Sequence, residues 1–150
     1  MGLDMYMIKR KRQSEDVAYW RKANAIHNWL VENVQYGEDN CYPHEISKEQ
    51  LEELRATCRK VLESLVKGGT HKEKVKVGRD NNGDIYKEID VYNNIELAEE
   101  LLPTTSGFFF GSTTYDEWYK ESLEKTIEQI DNILENTDFD TELIEYCSSW

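Results

Sequence analysis

The sequence predicts an α+β domain: a small, mostly antiparallel sheet with helices packed mainly on one face. Three observations carry that expectation. The hydrophobic period changes between two and 3.6 along the chain, an Asn-Gly pair centres a period-two stretch, and two S/T-x-x-E/Q capping boxes open amphipathic runs. With 150 residues, 39% hydrophobic and 32% charged, the chain fits a single domain over residues 1–150 that buries enough apolar surface to fold without a disulfide or metal.

Taken in order, Leu3, Met5 and Met7 alternate with Asp4, Tyr6 and Ile8 and predict a strand over residues 3–8. From Ser14, a candidate N-cap followed by Glu15 and Asp16, the positions Tyr19, Ala23, Ile26, Leu30 and Val34 recur at helical spacing, so a helix is expected from Ser14 to Val34. Gly37 ends it and residues 36–45 form a loop. Ser47 and Gln50 make a capping box for a helix with Leu51, Leu54, Cys58, Val61, Leu62 and Leu65 inside and Gly68-Gly69 as its stop. Residues 72–92 read as a hairpin turning at Asn81-Asn82-Gly83-Asp84. Asn94 is a cap for a short helix ended by Pro103, and residues 107–111 read as a brief apolar strand. Thr114 and Glu117 box the last helix, whose Tyr115, Tyr119, Leu123, Ile127, Ile130 and Leu134 share a face. The stretch from Phe139 to Trp150 is rich in strand formers and is expected to return beside the first strand.

Thirty acidic against 18 basic residues give a formal charge of −12, a field that repels nucleic-acid backbones and anionic membranes. Residues 1–27 nevertheless carry six basic and three acidic side chains, so a small anion can be held locally within a Debye length of about 8 Å. No apolar run of about 20 residues is present and a charge cluster interrupts any signal-type segment, so a cytoplasmic protein is expected. Cys41, Cys58 and Cys147 lack C-x-x-C spacing and read as reduced thiols. His27, His44 and His71 lack metal-binding spacing, so neither metal nor other cofactor is expected.

Two segments hold chemistry beyond structural need. On the expected first helix, Trp20, Asn24 and His27 fall on one stripe flanked by Arg21 and Asn28, a wall that offers a stacking ring, amide readers, a cation and an imidazole. A satisfied structural network is the competing reading of the same residues. The second segment is Gly111, Ser112, Thr113, Tyr115 and Asp116 at the expected start of the last helix, where free N–H groups and hydroxyls favour a phosphate. Asp116 competes for that positive end or binds a ribose hydroxyl. No Walker motif surrounds it, no nucleophile elbow surrounds Ser112, and Asp80 to Asp84 lacks the twelfth-position glutamate of a calcium loop.

The segments MGLDMY, YWRKANAIHNW, LPTTSGFFFGSTTYDEWY and SSW together resemble small, largely uncharacterised bacteriophage and prophage proteins. The resemblance covers both ends and the helices but not the 72–92 hairpin. It implies, by analogy with phage proteins of similar size, capture of a nucleotide-derived host immune signal such as a cyclic dinucleotide or cyclic ADP-ribose derivative. Binding without catalysis is therefore the expected activity. The alternatives are an enzyme acting on such a nucleotide, with His27 as acid or base and Asp116 orienting it, or an acidic protein that blocks a host partner's nucleic-acid-binding surface. Tyr42, Trp118 and Trp150 supply apolar surface for an expected homodimer.

Overall fold

The computed structural model describes residues 2–10, 13–107 and 110–150. Among the described residues the elements follow in the order β1 (Asp4–Arg10), β2 (Glu15–Arg21), α1 (Asn24–Asn33), β3 (His44–Glu45), α2 (Lys48–Gly68), β4 (Thr70–Asp80), β5 (Gly83–Tyr92), α3 (Glu96–Leu101), α4 (Glu117–Asn136) and β6 (Leu143–Ser149). An antiparallel sheet runs β2-β1-β6-β3, and β4-β5 form a separate two-stranded ribbon. The α+β expectation holds, with helices packed against the main sheet.

Period two decides which sheet face is covered. Leu3, Met5, Met7, Ala18, Trp20, Ile144 and Tyr146 point inward and are buried. They meet Ile26 and Leu30 of α1, Leu51, Leu54, Cys58, Val61 and Leu65 of α2, and Tyr119, Leu123, Ile130 and Ile133 of α4 in one core. On the other sheet face Tyr6 and Tyr19 touch with ring centroids 5.4 Å apart. As expected, β6 lies beside β1, with Met7 opposite Tyr146.

The expected helix from Ser14 is corrected. Residues 15–21 are strand β2, with Met5 opposite Trp20 and Met7 opposite Ala18, and α1 starts only at Asn24. Val17 to Arg21 carry a period of two that the apparent three-and-four spacing hid. Pairing with β1 satisfies this backbone, and tertiary pairing outweighs a weak local helical pattern. The strand ends where Lys22 takes φ 56° and donates its N–H to Leu3 O at 2.8 Å.

The Ser47–Gln50 box forms as read: Gln50 N–H donates to Ser47 Oγ at 3.1 Å and Ser47 N–H to Gln50 Oε1 at 2.9 Å. Gly69, at φ 65°, ends α2, a backbone angle that a side chain would strain. The second box does not form. Asp116, not Thr114, caps α4 by accepting from Tyr119 N at 3.1 Å. Residues 115–116 are drawn alongside β5, with Tyr92 N–H on Tyr115 O and a bridge between Val91 and Asp116, which holds them extended and delays the helix. Asn94 likewise does not cap α3, which follows Ile95; its amide reaches Ser64 instead, at 3.2 Å to Oγ. The apolar strand read at residues 107–111 lies partly outside the described residues, and Phe110 is in a turn.

Among the described residues no helix is long and apolar enough to cross a membrane.

Candidate functional site

With β2 a strand, the stripe of Trp20, Asn24 and His27 does not exist, because strand and helix residues cannot share one helical register. Trp20 is 1% exposed, sits on the sheet's inner face and donates its indole N–H to Thr126 Oγ1 at 2.8 Å. Its ring faces are taken by the core, so the expected stacking role is corrected to a packing role. Arg21 points to the opposite, outer side and pairs with Asp4 Oδ1 at 3.0 Å.

Asn24 faces inward at the first turn of α1, where an amide can offer two donors and one acceptor to passing backbone. It uses all three. Nδ2 donates to Phe110 O at 3.0 Å and Ser112 O at 2.8 Å, and Oδ1 accepts from Thr105 N at 2.9 Å. The structure therefore brings Asn24, Gly111 and Ser112 together, but to hold the 104–112 loop. Gly111, at φ 85°, backs onto Lys22, where a Cβ would lie 3.1 Å from Lys22 Cβ. Ser112 Oγ accepts from Thr114 N, Thr113 O accepts from Thr104 Oγ1, and Tyr115 Oη accepts from Thr104 N. Asn28 lies one turn along α1 from Asn24 and is half-buried. The phosphate site expected at the helix start is corrected as well. Asp116 fills the positive end of α4 with its own carboxylate and Glu117 follows in the first turn, while Ser112 and Thr113 lie upstream of that end.

His27 belongs to a different constellation. It is 1% exposed; Nδ1 meets Tyr146 Oη at 2.6 Å, Nε2 faces Asp39 Oδ2 at 3.0 Å, and Phe110 stands edge-on over the ring. Nε2 and the Asp39 carboxylate lie at this distance without the alignment of a hydrogen bond. Burial holds the Tyr146 hydroxyl well above its ordinary pKa, with the Asp39 charge adding to it. Tyr146 thus stays protonated, and its hydroxyl shares a short hydrogen bond with His27 Nδ1. Trp150 donates its indole N–H to Asp39 Oδ1 at 3.1 Å and meets Phe110 edge to face. The carboxylate that faces His27 is therefore Asp39, and the pairing with Asp116 required by the enzyme reading is corrected. Sequence spacing gave no sign of Asp39, because its loop approaches α1 only through tertiary folding. Tyr36 and Cys41 flank it with positive φ of 57° and 61°, the kind of backbone strain that persists only where the surroundings over-determine it.

An open groove lies between the end of β2 and the start of α4. It has a volume of about 240 Å³ and is lined by Trp20, Arg21, Ala23, Trp118, Glu121, Ser122 and Lys125. Trp118, Glu121, Ser122 and Lys125 stand at i, i+3, i+4 and i+7, one face of a helix. Trp118 is 53% exposed. Lys125 Nζ stands 5.5 Å from the Tyr19 ring centroid, and a second crevice that Trp118 also lines includes Lys22 and Asn24. The one hydroxyl of the groove, Ser122 Oγ, is committed to Trp118 O at 2.9 Å. The arrangement offers a flat ring and cations rather than an activated nucleophile. Sequence reading missed Trp118 and Lys125 as a pair; the i, i+7 spacing after a correctly placed cap is the signal that would have joined them.

Among the described residues no group of three or more His, Cys, Asp or Glu side chains is arranged to hold a metal ion. The three cysteines are free, and burial raises the Cys58 thiol far above the usual range. Under native conditions a thiol-alkylating reagent should modify Cys41 and Cys147, both half-buried, and reach Cys58 only after denaturation, as intact-mass measurement will show.

No protein-family model matches this chain, and neither a curated protein nor a solved structure is found to be similar to it.

Proposed function

We propose that this protein is a non-catalytic binder of a small nucleotide-derived anion, held in the groove between β2 and α4. Trp118 supplies the stacking plane, and Arg21 and Lys125 receive the phosphate. The ligand class is the one that the resemblance to phage proteins implies, and the role is sequestration of a nucleotide signal in the infected cell. The observation that carries the reading is the exposed Trp118 ring set beside two cations around the same 240 Å³ space.

In a chain of net charge −12 the long-range field opposes an anion, so short charge-assisted bonds must hold it, each contributing about 1.5–3 kcal/mol. Lys22 beside the groove strengthens this local reversal of sign, while Asp4 and Glu121 limit it. The space is smaller than the usual 300–1,000 Å³ ligand pocket, so one base and its phosphate fit inside and the rest of a dinucleotide extends along the surface.

Calorimetric titration with ADP-ribose, a cyclic ADP-ribose derivative and a cyclic dinucleotide tests the proposal. At least one probe should bind and be recovered chemically intact after heat denaturation. Trp118→Ala should weaken binding by about 1–3 kcal/mol, the scale of one base–aromatic stack, and Arg21→Ala should lower both affinity and its salt dependence. A probe recovered altered favours the enzyme alternative. Binding unaffected by Trp118→Ala, or no binding of any probe, overturns the site.

A further inference from the structure

The β4–β5 ribbon has two unlike faces. Residues opposite one another in an antiparallel pair share a face, and alternate pairs change face. One face carries Lys72 opposite Asp90 and Arg79 opposite Asp84, with Lys72–Asp90 and Lys76–Asp84 ion pairs at 2.8 and 3.1 Å. Charged residues dominate this face, with Tyr86 opposite Lys76 as its one exposed aromatic. The other carries Val75, Val77, Ile85 and Ile89 and runs on to Val91, which is buried at the base. Val77 is 57% and Ile85 41% exposed.

An apolar stripe on a two-stranded ribbon is unusual, because such a ribbon standing alone is marginally stable in water. Contacts between β4 and β5 dominate this one, and the body supports mainly its base through Tyr92, whose hydroxyl donates to Glu117 Oε2 at 2.9 Å. We propose that the apolar face of the ribbon docks on the same face of a second copy of this chain, forming a two-fold symmetric dimer.

Charge selects a second copy as the occupant. Residues 70–92 carry five basic and five acidic side chains, so the whole formal charge of −12 resides elsewhere in the chain. Two copies repel through their bodies and meet without repulsion through their ribbons. A strand of 11 residues extends about 35 Å. Antiparallel docking therefore keeps the two acidic bodies several Debye lengths apart. The stripe is also self-complementary, as an isologous contact requires. Besides His71, whose Nε2 stands 3.4 Å from Glu73 Oε1, it holds one acid, Glu73 opposite Ile89, and one base, Lys87 opposite Val75, which antiparallel docking brings into diagonal register, Glu73 of each copy with the other copy's Lys87. Edge-to-edge pairing is opposed by the charged residues along β4 and its register shift between Lys76 and Gly78, devices that blunt a strand edge.

Light scattering coupled to size exclusion, run up to high-micromolar concentration, tests this on the full chain. The wild type should show twice the 17.7 kDa chain mass, and Val77→Lys with Ile85→Lys should give a single-chain mass with unchanged circular dichroism. Lys87→Glu should raise the dimer dissociation constant at least tenfold, and adding Glu73→Lys should restore it, a rescue that a folding defect does not mimic. A wild type at single-chain mass throughout assigns the face to another occupant and overturns the proposal. So does a dimer that neither set of substitutions weakens.

Discussion

Trp20→Ala should destabilise the protein by about 3–5 kcal/mol, the range for deleting a large aromatic from a packed core. The ring is 1% exposed on the inner face of β2, opposite Met5, and its indole N–H is tied to Thr126 on α4. Removing it empties the seam between sheet and helix and also frees a buried hydroxyl of one partner. Urea denaturation should show a lower midpoint at unchanged slope. Trp20→Phe separates the two contributions: it keeps most of the apolar volume and loses the hydrogen bond, for about 1 kcal/mol beyond the packing change. Thr126 retains its own donation to Ser122 O at 2.7 Å, which limits that loss. A Trp20→Ala protein of wild-type stability that has lost ligand affinity would return Trp20 to the binding wall.

The same residue shows where sequence reading succeeds and where it stops. Elements whose signals are local and mutually consistent were legible: the Ser47–Gln50 box with its Gly69 stop, the ribbon around Asn81 to Asp84, and β6 beside β1. At residues 15–34 a strand and a helix lie end to end, and Tyr19, Ala23, Ile26 and Leu30 continue one apparent helical stripe across the junction. Only pairing with β1 separates them, and pairing is not a local property. Thr114 to Glu117 matched a capping box, yet hydrogen bonding of residues 115–116 to β5 moved the helix start by two residues and made Asp116 the cap. The candidate site followed these boundaries. Asn24 and Ser112, named from two separate segments, do meet in the fold, but the groove's ring, Trp118, emerged only with α4 in its true register, and Asp39 reached His27 through a loop that spacing cannot locate.

Asn24→Ala is expected to cost about 2–4 kcal/mol, because one 4% exposed amide supplies three hydrogen bonds of 2.8–3.0 Å to Thr105, Phe110 and Ser112. A typical bond contributes about 1 kcal/mol, and a buried group left without its partner costs about 1–3 kcal/mol more. The loop is half-exposed, so water recovers part of this loss. For a domain of this length the melting temperature should fall by roughly 5–15 °C. Asn24→Asp is the sharper variant. It preserves shape and the acceptor for Thr105 N–H but turns both donors toward Phe110 O and Ser112 O into acceptors, so its loss should equal or exceed that of alanine. Asn28→Ala, one turn away and half-buried, should stay within about 0.5 kcal/mol. Amide exchange at Thr105 should accelerate in both Asn24 variants, since its acceptor is gone in one and its loop is released in the other. Phe110, which roofs His27, lies in that loop, so loosening it should also open the Asp39–His27–Tyr146 cluster to solvent. An Asn24→Ala protein with unchanged melting and slow Thr105 exchange would show that the amide is spare in the fold and free to read a ligand.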